Sequence, residues 1–208
     1  MNLMTAKIIT TFRNEIMLVL GVILLLITLP VIAVVELANV GVSAAASSLV
    51  GVNPSNHKVE IYDPKGDLVT TLDVTTTWPV AGVVTLEFGA SDPPYQDHHT
   101  GIDIADSYGK IGQPVTTFMP GTVSVVMNVD NQYGRYVFID HGNAIQSQYW
   151  HLSEALVKVG QQVKPDDVIG LEGATGRATG PHVHFQIDVF GIPVDPRDFI
   201  SGNPRLDP

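Results

Sequence analysis

Four histidines and one aspartate carry the chemistry this chain offers: His99 and Asp103 in HHTGID, His151 in QYWHLS, and His182 with His184 in TGPHVHF. Imidazole and carboxylate together form the ligand set of a borderline metal such as zinc. Three protein ligands with a fourth position left to water mark a catalytic site rather than a structural one. Two histidines remain for proton handling, so the five residues read as the makings of a zinc hydrolase. There is no cysteine, which excludes thiolate ligands and a cysteine nucleophile.

Each motif is weaker alone than in company. From His182 to Val189 the residues alternate, with His182, His184, Gln186 and Asp188 on one face and Val183, Phe185, Ile187 and Val189 on the other. Side chains two apart on a strand point the same way, so both imidazoles leave one polar face while the apolar face enters a core. A half-exposed strand carrying two surface histidines gives the same pattern. His99 and Asp103 would share a face of a helix, but Gly101 between Thr100 and Ile102 argues for a loop entering a strand, where spacing alone proves no convergence. His151 closes the run IQSQYWHL, and alternation groups it with Ser147 and Tyr149, opposite Gln146, Gln148 and Trp150. His57, His98 and His141 sit in linker or turn contexts and read as structural.

Short β-rich runs between turn signals supply the frame: VVTLEF, PVTTF, TVSVVMNV, RYVFIDH, IQSQYWHL, DVIGL and HVHFQIDVF. No 3.6-residue periodicity is sustained among them. The expected fold is mainly β, a compact antiparallel sheet or barrel-like domain over 78–208. A β-hairpin extension over 57–77 is expected to turn at Asp63-Pro64-Lys65-Gly66, behind a small-residue linker over 38–56. Ahead of these, Ile16 to Val35 is apolar without a charge, and roughly 20 such residues span a bilayer core. A transmembrane anchor is therefore expected over 15–37, with a cytoplasmic N-terminus over 1–14. The small residues of VSAAASS would suit cleavage as a signal peptide, but the apolar block exceeds the roughly 7–15 residues of a usual signal core. Lys7 and Arg13 precede the span and no basic residue follows before Lys58, which places the catalytic part outside the cytoplasmic membrane. Net charge is −10 with no basic patch, so nucleic acid is not an expected partner.

In combination the motifs resemble a known family. HHTGIDIA, YVFIDHGNAIQSQYWHLS, VGQQVKPDDVIGLEG and TGRATGPHVHFQI, in that order, are similar to the M23 zinc metallopeptidases of the lysostaphin and LytM type, over about Trp78 to Phe199. The resemblance implies one zinc ion per chain held by His99, Asp103 and His184, with His151 and His182 as catalytic histidines that are not ligands. It implies a small antiparallel β domain with the metal in a groove, and peptidoglycan stem peptides or cross-bridges as substrate. Which of His151 and His182 takes which proton stays open, as do the substrate-binding residues and any protein regulator. Several positions depart from the family's usual pattern: ASDPPYQDH lacks an arginine common there, Gly173-Ala174-Thr175-Gly176 stands for a Gly/Ser-Asn-Thr-Gly turn, Glu172 stands where a small residue is usual, and Gln186 replaces a glutamate.

Two other readings compete. An iron oxygenase uses the same ligand types, but such enzymes space the first pair more tightly and have no use for His182 beside His184. A catalytically silent or regulatory peptidoglycan-binding module of the same fold is the second, although silent members typically lose ligands or catalytic histidines and all five are present here. The segment from Val52 to Thr77 is further expected to pack near the groove and restrict access to it.

Overall fold

The structure, a computed structural model, describes Met17 and residues 46–204, apart from 54, 74, 92, 94–97 and 130–131. The expected membrane span over 15–37 lies outside the described residues except for Met17. Among the described residues no helix is long and apolar enough to cross a membrane. Residues from Ala44 onward form one compact unit.

That unit is built almost wholly of antiparallel strands. In chain order they are β1 (Val50–Val52), β2 (Val59–Tyr62), β3 (Leu68–Thr71), β4 (Val83–Leu86), β5 (Ile102–Ala105), β6 (Pro114–Thr116) and β7 (Gly121–Met127). They continue with β8 (Arg135–Gly142), β9 (Ile145–Leu152), β10 (Glu154–Ala155), β11 (Gln162–Val163), β12 (Val168–Leu171), β13 (Val183–Val189) and β14 (Ile192–Val194), before a single 3-10 turn at Pro196–Asp198. The main sheet runs β11-β7-β8-β9-β13-β5-β4, with β14 also paired to β13, and it ends at β11 and β4 instead of closing into a barrel. Two three-stranded sheets, β1-β2-β3 and β10-β12-β6, accompany it. The mainly antiparallel β expectation holds.

The apolar face of β13 explains why this sheet holds. Val183, Phe185, Ile187 and Val189 are fully buried and belong to one core with Ile102, Ile104, Val137, Ile139 and Tyr149 from the neighbouring strands. Phe185 stacks on Tyr149 at 5.4 Å between ring centroids, and burying side chains of that size contributes about 1.5–3 kcal/mol each. Strands β8 and β9 are joined by Asn143 and Ala144, both in the left-handed region (φ 50° and 61°). Such a two-residue turn matches strand twist and fixes register, which sets where the end of β9 delivers Trp150 and His151.

The N-terminal three-stranded sheet shares the core through Val50 and Ile61, joined by Leu49 just ahead of β1. Its strand β1 falls within the stretch read as linker, because Leu49 and Val50 find apolar partners there. The following segment is tied to the C-terminal end: the Thr76 hydroxyl donates to the Phe199 carbonyl at 2.8 Å and the Trp78 indole to Ser201 at 3.2 Å. Among the described residues, nothing between Val52 and Thr77 lines the cleft that holds the five chemical residues. The expectation that this extension covers the groove is not met.

His141 is structural, as its turn context suggests. Its Nδ1 donates to the Pro120 carbonyl at 2.8 Å and its Nε2 meets the Ser147 hydroxyl at 2.7 Å. Burial, partly offset by the Pro120 carbonyl and Asp140, pushes its pKa down to about 4. The unfolded chain, with histidine near 6.5, therefore binds more protons than the folded one between those values. Stability should be complete above about pH 6.5 and fall as pH drops toward 4, by on the order of 2 kcal/mol for this partly exposed ring. Thermal melts of wild type and His141→Gln across pH 4.5–7.5 check this, and parallel profiles for the two would refute it.

Candidate metal centre

Strand register assembles the site. Residues directly opposite on antiparallel strands share a face, about 4.5–5.5 Å apart at Cβ. Asp103 of β5 is opposite His184 of β13, and Trp150 of β9 is opposite His184 from the other side. The HxxxD and HxH motifs are thus brought together by the β5–β13 pairing, and His99 enters from the loop just before β5. Gly101 makes this approach possible. A Cβ there would collide with the Phe185 carbonyl and lie 2.9 Å from His184 Nε2, so any side chain would push β13 away.

Three donor atoms meet at the centre. His99 Nε2 lies 3.1 Å from Asp103 Oδ1, His184 Nδ1 lies 2.9 Å from the same oxygen, and the two ring nitrogens are 3.0 Å apart. Their protons are placed elsewhere. His99 Nδ1 donates to the Glu87 carbonyl at 3.1 Å, and His184 Nε2 donates to Gln186 Oε1 at 3.3 Å. In their neutral forms the inward nitrogens carry lone pairs, and they face each other and a carboxylate oxygen. Three acceptors at such distances repel unless something positive lies among them. A proton serves one edge of the triangle, whereas a divalent cation serves all three corners. The point equidistant from the three atoms is about 1.7 Å from each, within zinc's bonding distance of about 2.0–2.1 Å, so one ion could reach all of them. His99, Asp103 and His184 are also the group of described residues whose ligand atoms fit a metal ion.

Burial opposes charge on Asp103, yet His184 and then His99 outweigh it wherever their rings turn a proton inward in place of a cation, and they hold the carboxyl well below the usual carboxylate range. The carbonyl that orients His99 belongs to Glu87, whose carboxylate takes a two-pronged grip from Arg197 at 2.7 and 2.9 Å. That hydrogen bond lowers the Glu87 pKa. An exposed pair of this kind is worth under about 1 kcal/mol, so it aligns the loop more than it stabilises the fold.

The other two histidines flank the triangle. His182 Nδ1 donates to the Gly180 carbonyl at 2.9 Å, leaving Nε2 3.7 Å from Asp103 Oδ2. His151 Nδ1 donates to the Thr175 carbonyl at 2.8 Å. Its ring lies 4.7 Å from that of His182 and 6.4 Å from that of His184. Strict alternation would send His151 into the core beside Tyr149. It escapes because its backbone is left-handed, φ 62°, a conformation that costs an ordinary residue about 1–2 kcal/mol. Burial, reinforced by the nearby His182, pushes its pKa down to about 4, with the Thr175 carbonyl opposing. His151 is neutral at pH 7 with an open Nε2.

All five residues line one cleft of ≈ 350 Å³, together with Thr100, Gln132, Tyr133, Trp150, Arg177 and Thr179. Trp150 stacks on His184 at 4.5 Å and Tyr133 packs on Trp150 at 4.7 Å, so the walls are aromatic near the centre. Among the described residues, Arg177 is the sole lysine or arginine lining the cleft. Gln132, Tyr133, Arg177 and Thr179 lie on loops and carry no spacing signal that would have revealed them.

A β-sheet cleft with a His–Asp–His donor triangle between two further histidines is of the metallopeptidase class. Sequence comparison makes the class specific: the profile of Peptidase family M23 matches residues 97–196. The peptidoglycan DD-endopeptidase ShyA of Vibrio cholerae is 48% identical over 98 residues, which cover 47% of this chain and 22% of that protein. Among solved structures, a zinc-containing peptidase from Vibrio cholerae is 32% identical with a TM-score of 0.55, over 74% of this chain and 47% of that one. The catalytic domain of the prophage-encoded M23 protein EnpA from Enterococcus faecalis, a mutant form, is 30% identical with a TM-score of 0.52, over 59% of this chain and 94% of that one. The chain belongs to peptidase family M23. Its matched stretch spans only between 20% and 26% of the curated relatives' own lengths.

Proposed function

We propose that this protein is a zinc-dependent endopeptidase that hydrolyses peptide bonds in peptidoglycan stem peptides or cross-bridges during wall remodelling. The observation that carries the reading is the lone-pair triangle of His99, Asp103 and His184, flanked by two histidines whose Nε2 atoms are left free by their backbone partners. His99, Asp103 and His184 would hold one zinc ion, which when bound makes a water nucleophilic near pH 7 and polarises the scissile carbonyl.

The remaining work falls to the chain's own groups. His151, neutral and with its Nε2 open, takes the proton of the attacking water and passes it to the leaving amine. His182 keeps its Nδ1 proton on the Gly180 carbonyl, so it donates from Nε2 only as the imidazolium, beside the Asp103 carboxylate, to the oxygen that gains charge as the carbonyl becomes tetrahedral. Trp150 and Tyr133 wall the cleft with apolar surface and limit the water that reaches it. The names of the DD-endopeptidase relatives support peptidoglycan as the substrate.

Location belongs to the same proposal. The apolar block from Ile16 to Val35, preceded by Lys7 and Arg13, would anchor the protein in the cytoplasmic membrane with the peptidase domain outside. Cleavage would then be confined to peptidoglycan close to that membrane. Mass spectrometry of muropeptides released from purified peptidoglycan by zinc-loaded protein tests the activity. New peptide-bond products are expected. Their absence from protein with stoichiometric zinc would favour the silent wall-binding module.

A further inference from the structure

His184 differs from the other three site histidines in what places its proton. His99, His151 and His182 each donate to a backbone carbonyl, an acceptor present whatever the side chain. His184 Nε2 instead meets a side-chain amide, Gln186 Oε1. An amide presents an acceptor at one end and a donor at the other. Turned around, Gln186 would offer N–H to His184 Nε2, push the ring proton to Nδ1, and point that proton into the donor triangle.

What keeps the oxygen toward His184 lies two residues further along β13. Gln186 Nε2 donates to Asp188 Oδ1 at 2.7 Å. The other Asp188 oxygen accepts from Gln148 Nε2 at 2.6 Å. Gln148 Oε1 then accepts the Trp150 indole N–H at 3.1 Å, and Trp150 stacks back on the His184 ring. Thr100 adds a hydroxyl donor to Gln186 Oε1 at 2.7 Å. Gln148, Gln186 and Asp188 are all buried, at 6%, 5% and 9% exposure, so a reversed amide could not look to water for relief. Each Asp188 oxygen has an amide donor, and an acceptor-only carboxylate is the group that fixes both amides one way round.

We infer that Asp188 is a positioning residue for the metal centre: through Gln186 it sets the His184 tautomer that turns the Nδ1 lone pair toward the ion. The inference rests on the reading that His99, Asp103 and His184 bind zinc. The negative charge lies two residues beyond Gln186 on the same strand face, and the amide carries its orientation back to His184.

The test is zinc affinity, measured by competition with a chromophoric chelator, for wild type, Asp188→Asn, Gln186→Glu and the double variant. Asp188→Asn sets an amide donor against an amide donor, and relief by reversing Gln186 disfavours the binding tautomer. Zinc affinity should weaken roughly 10–100-fold, the usual effect of losing an outer partner of a ligand. Gln186→Glu alone faces two carboxylates and should also weaken binding. The double variant restores complementarity: the carboxylate introduced at position 186 accepts from His184 and Thr100, while the amide introduced at position 188 donates to that carboxylate and accepts from Gln148. Its affinity should return to within about threefold of wild type, a coupling that two independent lesions would not show.

Nitrogen-15 shifts of His184 in the metal-free proteins add a readout that a packing role would not move. They should report Nε2–H in wild type and Nδ1–H in Asp188→Asn. Unchanged zinc affinity in Asp188→Asn, or losses that add in the double variant, would overturn the inference. Wild-type protein that takes up no zinc would instead overturn the metal reading beneath it.

Discussion

His184→Ala is expected to yield a folded protein that neither retains zinc nor cleaves peptidoglycan peptides. The triangle would lose the corner that lies 2.9 Å from Asp103 and 3.0 Å from His99, and two ligands seldom hold zinc against competing water. A metal acting as Lewis acid supplies several kcal/mol of transition-state stabilisation. At about 1.4 kcal/mol per decade, losing about 4 kcal/mol lowers the rate about 10³-fold. The core should survive, because the aromatic packing of Phe185 and Tyr149 lies on the other face of β13. Metal content by mass spectrometry, circular dichroism and product release are read on the same sample. Chelated wild type should regain activity on adding zinc, and His184→Ala should not. A variant that keeps one zinc per chain and most of its activity would remove His184 from the ligand set.

Local pattern revealed some parts of this site and global register the others. The alternation from His182 to Val189 was enough to place Phe185 and Ile187 in the core and His184 on the polar face, since period two is a local property of a strand. The meeting of Asp103 with His184 was not legible in that way. It depends on pairing between β5 and β13, strands separated by most of the domain, and a one-residue slip would have sent Asp103 to the other face. Only the order of motifs, through its family resemblance, anticipated it. Alternation misplaced His151, because a single left-handed residue at the end of β9 reverses the side-chain direction and β-propensity carries no sign of it.

The proton-placing partners were hidden for a different reason. Glu87, Thr175 and Gly180 act through carbonyls that any residue would supply, so their identities say nothing. Gln186 and Asp188 were visible as polar residues on the histidine face, but their link to Gln148 needed the β9–β13 register. Gly173 belongs with these hidden parts. A Cβ there would collide with the Ser153 amide nitrogen and come 2.7 Å from the His151 carbonyl, so its absence lets the loop bearing Thr175 and Gly180 close against the end of β9. In the sequence it reads only as the first residue of the Gly173-Ala174-Thr175-Gly176 turn.

The left-handed backbone of His151 also decides how its role is best tested. His151→Ala would remove the imidazole and leave alanine at φ 62°, mixing a backbone penalty of about 1–2 kcal/mol into the result. Asparagine tolerates this region better than most residues, so His151→Asn isolates the lost proton carrier. Zinc uptake should stay stoichiometric, because His151 adds no atom to the donor triangle. Turnover should fall by roughly 10²–10⁴, the usual contribution of a positioned acid–base group, with KM little changed because the proton moves only in the transition state. His182→Asn should lower turnover too while leaving His151 free to accept the water's proton. Two outcomes would count against His151 as the base: kcat within about tenfold of wild type while zinc is retained, against the loss expected of an acid–base group, or loss of zinc together with activity. The first would leave proton transfer to His182 or to solvent. The second would mean that His151 holds the metal centre together, and the division between three ligands and two proton carriers would have to be redrawn.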